Sequence, residues 1–365
     1  MQEGSLVKIV ELTRIQPGAI LAKSIFTANG RTLLKKGVSL SSSYVTRLED
    51  MGFRYVYVED AATADIQGED SIPDEIRQEV LGRLEATFQK LQAPDGIQTM
   101  VNSGDLGREV LSIYRLLYNH LAGTGTMMVN LSALYSSDAH TYTHCMNVAV
   151  MATILGLAHG YSKELVEELG VGAMMHDIGK IEISPAILNK PDKLTELEYA
   201  EVKRHTRLGH DILRKQPDLL PSCAICALYH HEWYDGSGYP EGLKGDGIPE
   251  FARLMAVADV YDALTANRPY RDAWLPSDAL EFMFTRTYKQ FDPIFMRSFV
   301  KYVNVYPPGL TVRLSNKASG VVARPNEKNL MRPYILVTEE DGQPVIPYEF
   351  DLASNLNVTI LHCGG

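Results

Sequence analysis

The sequence predicts a mainly α protein, in which a long helical block is flanked by a small N-terminal α/β module and a β-rich C-terminal extension. Three observations carry that prediction. Between about residues 73 and 305, apolar residues recur at three- and four-residue spacing, as in Val80, Leu81, Leu84, Phe88 and Leu91 or Val148, Val150, Met151, Ile154 and Leu155. Ahead of that block, the β-type runs LVKIVEL and RYVYVED alternate with turns at Gln16-Pro17-Gly18 and Asn29-Gly30. Behind it, after Tyr306-Pro307-Pro308-Gly309, the texture reverts to the short runs LTVRLS, GVVA, YILVTE and VTILHC, separated by Asn, Gly and Pro turns.

Taken in order, residues 1–62 form the α/β module, with one helix that Ser41 or Ser42 caps and that runs to Met51-Gly52. The acidic, polar segment ATADIQGEDSIPDE reads as a linker into a helix begun by Pro73. Residues 63–305 are the helical block and 306–365 the β extension. Within the block, His140 and His144 stand i, i+4 at the start of a helix that Ser137 or Asp138 caps, which puts both imidazoles on one face. The apolar helix VEELGVGAMMHDIGK closes on His176-Asp177, where Gly179 lets the chain turn away and Lys180 points near the same place. Adjacent helical residues diverge by about 100°. His176 and Asp177 therefore converge only at a helix end, or around ions lying between them. His205 is expected within one charged helix, ELEYAEVKRHTRLGHDIL, and His230-His231 end CAICALYHH just before a glycine-rich loop. Asp259 falls inside the apolar helix FARLMAVADVYDALTA, where a carboxylate is costly unless it is paired or bound to a cation. Asp262, three residues on, reads either as a ligand or as a carboxylate that orients one.

Composition narrows the function classes. The 365 residues are 45% hydrophobic, enough for a full core, and carry a net charge of −10. That charge argues against a broad hold on DNA or RNA, although metal ions and a few local cations can reverse the field inside one cleft. No apolar run approaches the roughly 20 residues that span a bilayer, and MQEGSLVKIVEL has no signal-peptide layout, so a soluble cytoplasmic protein is expected. Four cysteines at 145, 223, 226 and 363 are too few for a disulfide scaffold. Cys223 and Cys226 form a CxxC in an apolar helical run, which reads as packing against a smaller chance of metal or redox chemistry.

His140, His144, His176, Asp177, His205, His230, His231 and Asp259 thus gather in one module. Imidazole nitrogen suits borderline divalent metals, and an aspartate between histidines can bridge two ions. Such multinuclear sites most often cut phosphate esters, since two ions about 3.5–4 Å apart neutralise the phosphate and acidify a water. No Gly-x-Ser-x-Gly elbow and no Walker-type loop offers another route. His120, His159, His210 and His362 read as ordinary hydrogen-bonded histidines.

The strings HDIGK (176–180), ILNKPDKLTELEYAEVKRH (187–205), HHEWYDGSGYPEGLKGDGIP (230–249) and AVADVYDALTANRPYR (256–271) resemble the HD-GYP family of the HD phosphohydrolase superfamily. The match spans roughly residues 110–300 and includes Gly238-Tyr239-Pro240. The resemblance implies a helical HD-type domain and a cyclic di-GMP phosphodiesterase of bacterial second-messenger signalling, which releases pGpG and onward GMP by metal-activated hydroxide. It implies His144, His176, Asp177, His205, His230, His231 and Asp259 as ligands of two divalent ions, iron or manganese first, with Asp177 bridging. It gives Lys180 a catalytic place at the scissile phosphate or its attacking water. Substrate binding falls to Lys180, Tyr239, Arg268 and Arg271, where many relatives carry lysine in place of Arg271. His140 stands where some members place a glutamate that goes with a third metal. Three readings stay open for it: third-metal ligand, hydrogen-bonding or substrate contact, and no role. Two other functions also stay open: hydrolysis of another cyclic dinucleotide such as cyclic GMP-AMP, and a non-catalytic adaptor that recruits a partner such as a diguanylate cyclase. The helix of residues 73–92 is the candidate for homodimer pairing.

Overall fold

The computed structural model describes residues 8–27, 31–60, 71–123, 129–130, 141–190, 192–266 and 274–363. In the N-terminal module, β1 (Lys8–Glu11), β2 (Ile25–Phe26), β3 (Thr32–Leu34), α1 (Ser42–Asp50) and β4 (Tyr55–Val58) follow one another. β1 pairs antiparallel with β4 and β2 with β3. The Ser41 hydroxyl accepts the Tyr44 N–H, which settles the cap on Ser41 rather than Ser42. Leu12, Leu21, Leu40, Leu48, Phe53 and Val56 close a core of their own beneath these elements.

The helical block contains α2 (Asp74–Gln92), α3 (Gly96–Ser103), α4 (Asp105–Gly123), α5 (Thr141–Ala158), α6 (Lys163–Met175), α7 (Pro185–Leu188), α8 (Glu196–Lys203), α9 (His205–Leu213), α10 (Pro221–Tyr229), α11 (Glu250–Thr265), α12 (Pro276–Thr285) and α13 (Pro293–Tyr302). Two two-residue strands, β5 (Val129–Asn130) and β6 (Val303–Asn304), pair in parallel. The predicted stripe of α2, from Val80 to Leu91, is buried in the same cluster as α4 and α5, so that face is consumed within the chain. Close helix contacts rest on glycines. A Cβ on Gly170 would stand 2.0 Å from the Tyr114 ring, whose hydroxyl bonds Thr153 Oγ1 at 2.9 Å and donates to Val166 O. Gly172 lets α6 meet α10 at Cys226, and both Cys223 and Cys226 are buried and reduced. The CxxC is packing.

One expectation changes and another gains its physical reason. The charged helix around His205 is broken at Arg204, whose N–H bonds the Glu201 carbonyl in a tightened turn and separates α8 from α9. Gly179 does stand where the chain turns away from α6, without needing positive φ. It sits in the short 3-10 stretch Ile178–Glu182, and a Cβ there would lie 2.0 Å from the His205 carbonyl and 2.5 Å from the Gly209 nitrogen.

The C-terminal extension is a five-stranded antiparallel sheet of β7 (Thr311–Leu314), β8 (Ala318–Arg324), β9 (Tyr334–Glu340), β10 (Gln343–Asp351) and β11 (Ile360–Cys363), in the order β10-β9-β8-β7-β11. β10 escapes the sequence reading because Pro344 and Pro347 argue against a strand. It is an edge strand with a register shift between Pro344 and Tyr348, and there prolines are tolerated. Val312, Leu314, Val322, Ile335 and Val337 join the sheet to the helical core in one apolar cluster. Among the described residues, no helix is long and apolar enough to cross a membrane.

Candidate metal centre

Three helix ends and two helix interiors deliver the predicted side chains to one place. His176 caps α6, His205 opens α9 directly after α8, and His230 caps α10, with His231 next. His144 comes from the first turn of α5 and Asp259 from the middle of α11. The ring Nδ1–H of His176 donates to Ala173 O at 2.7 Å, that of His205 to Val202 O at 2.7 Å, and that of His230 to Ala227 O at 3.0 Å. Each bond fixes the tautomer and leaves Nε2 as the free lone pair.

Those lone pairs form two groups. His144, His176 and Asp259 offer ligand atoms within 4.8 Å of one another, and so do His205, His230 and His231. Asp177 stands between the groups. Its Oδ2 lies 3.4 Å from His176 Nε2 and 3.7 Å from His144 Nε2, and its Oδ1 lies 3.4 Å from His205 Nε2 and 3.9 Å from His230 Nε2. Oδ1 is buried without a hydrogen-bond partner, a costly state for a carboxylate oxygen. The Nε2 atoms of His144 and His176 approach to 3.2 Å, and those of His205 and His230 to 3.3 Å. The facing lone pairs of His205 and His230 repel at that distance unless a cation lies between them. The donor set, the orphaned oxygen and the facing nitrogens all fit divalent ions, with one carboxylate oxygen turned to each group.

The surrounding contacts hold this set. Asp262 accepts the His144 Nδ1–H at 2.6 Å and the Asn147 amide at 2.8 Å, so both its oxygens are spoken for and it orients His144. Lys180 donates to Asp177 Oδ2 at 2.5 Å while its side chain stays 31% exposed, which leaves ammonium protons for a ligand. The Tyr239 ring lies 4.7 Å from that of His231, tilted by 33°. His140, Arg268 and Arg271 lie outside the described residues.

Sequence reading missed Glu232. Its buried carboxylate accepts the backbone N–H groups of Glu241 (2.7 Å), Gly242 (3.1 Å) and Leu243 (3.0 Å), folding the Gly-Tyr-Pro loop back on the His231 main chain, where Tyr239 N–H bonds His231 O. A carboxylate immediately before a glycine-rich loop is the signal that pointed to it. Glu232→Gln puts an amide donor against that nest of N–H groups. The substitution is expected to cost about 1–3 kcal/mol in denaturant unfolding and to raise KM for a phosphodiester more than it lowers kcat.

The protonation pattern of the metal-free protein follows from burial and charge. Burial pushes His231 down to about 3 and also lowers His205 and His230, keeping all three neutral and ready to ligate. Burial works the same way on His144, but hydrogen bonds to Asp259 and Asp262 outweigh it and hold that imidazole up at about 9. Burial alone would raise Asp259 and Asp177. The His144 bond to Asp259, and Lys180 and His176 beside Asp177, hold both well below the usual carboxylate range. Unfolded histidines take up protons near pH 6.5. Below that pH the unfolded chain binds protons that His205, His230 and His231 refuse, so stability falls on acidification. Above it, the stabilisation from charged His144 drains away toward pH 9. Thermal melts in chelator from pH 5 to 9 are therefore expected to show maximal Tm near pH 6.5, with a decline on both sides.

Comparison with known proteins adds the context for this geometry. A family model described as HD domain matches residues 128–294, a segment holding all seven convergent side chains. Among curated proteins, a cyclic di-GMP phosphodiesterase of Pseudomonas aeruginosa is 40% identical over 212 residues, covering 58% of this chain and 50% of the relative. A cyclic di-GMP phosphodiesterase response regulator of Xanthomonas campestris is 42% identical over 162 residues, 44% of this chain and 43% of the relative. A 3'3'-cGAMP-specific phosphodiesterase of Vibrio cholerae is 32% identical over 202 residues, 52% of this chain and 39% of the relative. The chain spans half or less of the length of these three relatives.

Proposed function

We propose that this chain, whose residues 128–294 match an HD domain, is a metal-dependent phosphodiesterase of the HD-GYP type that linearises cyclic di-GMP to pGpG or further to GMP. The observation that carries the reading is the placement of Asp177, one oxygen toward His144 and His176 and the other toward His205 and His230. His144, His176, Asp177 and Asp259 would hold one ion, and Asp177, His205, His230 and His231 the other, with iron or manganese suited to a histidine-rich set. When bound, such ions neutralise the phosphate oxygens and acidify a water to serve as nucleophile. Lys180 presents its ammonium to the scissile phosphate from beside Asp177, Arg268 and Arg271 hold phosphate oxygens, and Tyr239 walls the pocket. Asp262 keeps the His144 proton on Nδ1, so that Nε2 stays available. His140 adds a third ion, makes a hydrogen bond or substrate contact beside the pair, or takes no part.

The proposed modules are residues 1–62, 63–305 and 306–365, with the catalytic work confined to the second. A homodimer, and recruitment of a diguanylate cyclase or adaptor protein, belong to the same reading. The cGAMP-specific relative supports hydrolysis of cyclic GMP-AMP as the second reading, since the metal ligands do not read the bases. The test is anaerobic reconstitution with Fe(II) or Mn(II), followed by chromatography of the products from cyclic di-GMP and cyclic GMP-AMP. Formation of pGpG is expected, and chelator is expected to abolish it. Absence of turnover with every cyclic dinucleotide, while protein–protein binding persists, would leave only the adaptor reading. An unchanged metal count in His140→Ala would remove the third ion.

A further inference from the structure

Resting on that phosphodiesterase reading, we propose that Tyr199, Lys203 and Tyr239 form a subsite for a purine base of the substrate, and that Lys203 makes it select guanine. Tyr199 and Lys203 lie one turn apart on α8, hence on one face. The end of α8 is tied to the metal centre through the His205 bond to Val202 O. From the buried cluster outward, Tyr239 leans on His231, and Tyr199 meets Tyr239 edge-on, with ring centres 6.5 Å apart and planes at 81°. Tyr199 is 47% exposed, so this aromatic path opens to solvent beside the place where the phosphate would be cut. The Lys203 ammonium sits 4.6 Å from the centre of the Tyr199 ring and 5.4 Å from that of Tyr239. No described carboxylate pairs with it, in a chain of net charge −10.

Both walls are held in advance. Glu232 pins the loop that carries Tyr239. At the other side, the start of α8 is fixed by the Thr195–Glu198 capping box, and Lys190 donates to both Glu198 oxygens at 2.7 and 2.8 Å. A preformed aromatic wall with an ammonium resting over both rings, paired with no described carboxylate, suits a flat π-system whose rim offers acceptors. Guanine presents N7 and O6, both acceptors, whereas adenine presents N7 beside an N6 donor. Lysine can only donate. The ammonium therefore rewards guanine and meets a donor on adenine.

The test compares kcat/KM for cyclic di-GMP, cyclic di-AMP and methyl p-nitrophenyl phosphate, a diester without a base, using the full Mn(II)-loaded chain. Tyr199→Ala is expected to lower the ratio of cyclic di-GMP to the base-free diester by about tenfold, the scale of one lost base–aromatic stack, whereas Tyr199→Phe retains it. Lys203→Gln is expected to cut the preference for cyclic di-GMP over cyclic di-AMP by about tenfold. Unchanged ratios in an active enzyme overturn the subsite. A parallel fall for all three substrates in Lys203→Gln also overturns it, by assigning the ammonium to phosphate. A wild type that cleaves the simple diester but neither dinucleotide instead overturns the cyclic-dinucleotide reading, and the subsite with it.

Discussion

Asp177→Asn is expected to strip metal from the protein and to lower phosphodiester hydrolysis by about a thousandfold, while leaving the fold in place. The substitution keeps shape and volume, and its amide can still meet Lys180, but it removes the charge that faces both histidine groups from 3.4–3.9 Å. An amide nitrogen on one side would point a donor at imidazoles whose Nε2 atoms carry lone pairs. The lost charge stabilisation of the transition state, on the order of 4 kcal/mol, corresponds to the thousandfold. Metal analysis after anaerobic purification, circular dichroism and product chromatography measure the three parts. Full metal content with intact activity would mean that the two groups do not depend on a shared carboxylate.

Gly179→Ala is expected to destabilise the protein by about 3 kcal/mol and to weaken metal binding at the same time. The added methyl would stand 2.0 Å from the His205 carbonyl oxygen and 2.5 Å from the Gly209 nitrogen, and backbone atoms cannot rotate away as a side chain can. Relief requires α9 to move off the HDIGK turn, and His205 moves with it. Denaturant unfolding of the metal-free variant gives the first effect. Metal titration under conditions where the variant is still folded gives the second. A variant as stable as wild type would show that the two segments part without cost.

How much of this was legible in the sequence depended on how local each signal was. His176-Asp177, His230-His231 and Asp259 stand in long, specific strings, and their expected convergence needed only that helices end or pack where those strings lie. The predicted stripe of α2 is buried as written. Contacts made across the fold were illegible. The role of Gly179 is set by His205, which lies far along the chain, so the sequence alone suggested a turn. No proline or glycine marks the boundary at Arg204, which keeps helical dihedrals of φ −62° and ψ −21°. β10 was hidden because its prolines obey an edge-strand rule that applies only once the sheet order is known. Glu232 showed its charge but not its three backbone partners. His140, Arg268 and Arg271 fall outside the described residues.

The bonds from His176, His205 and His230 to Ala173, Val202 and Ala227 have one more consequence, because each of those carbonyls lies in the last turn of a helix. The carboxyl end of an α-helix carries about half an elementary negative charge. The poles of α6 and α10 are directed at one buried spot that already holds two aspartates, while the amino end of α9, which starts directly after α8, offsets the pole of α8. The two helix poles add to those carboxylates, against the Lys180 ammonium and the charged His144, and so favour a cation over a phosphate diester while the spot stays bare. Loading is therefore ordered by the fold itself: metal enters first, and only the charge it brings opens the pocket to an anion.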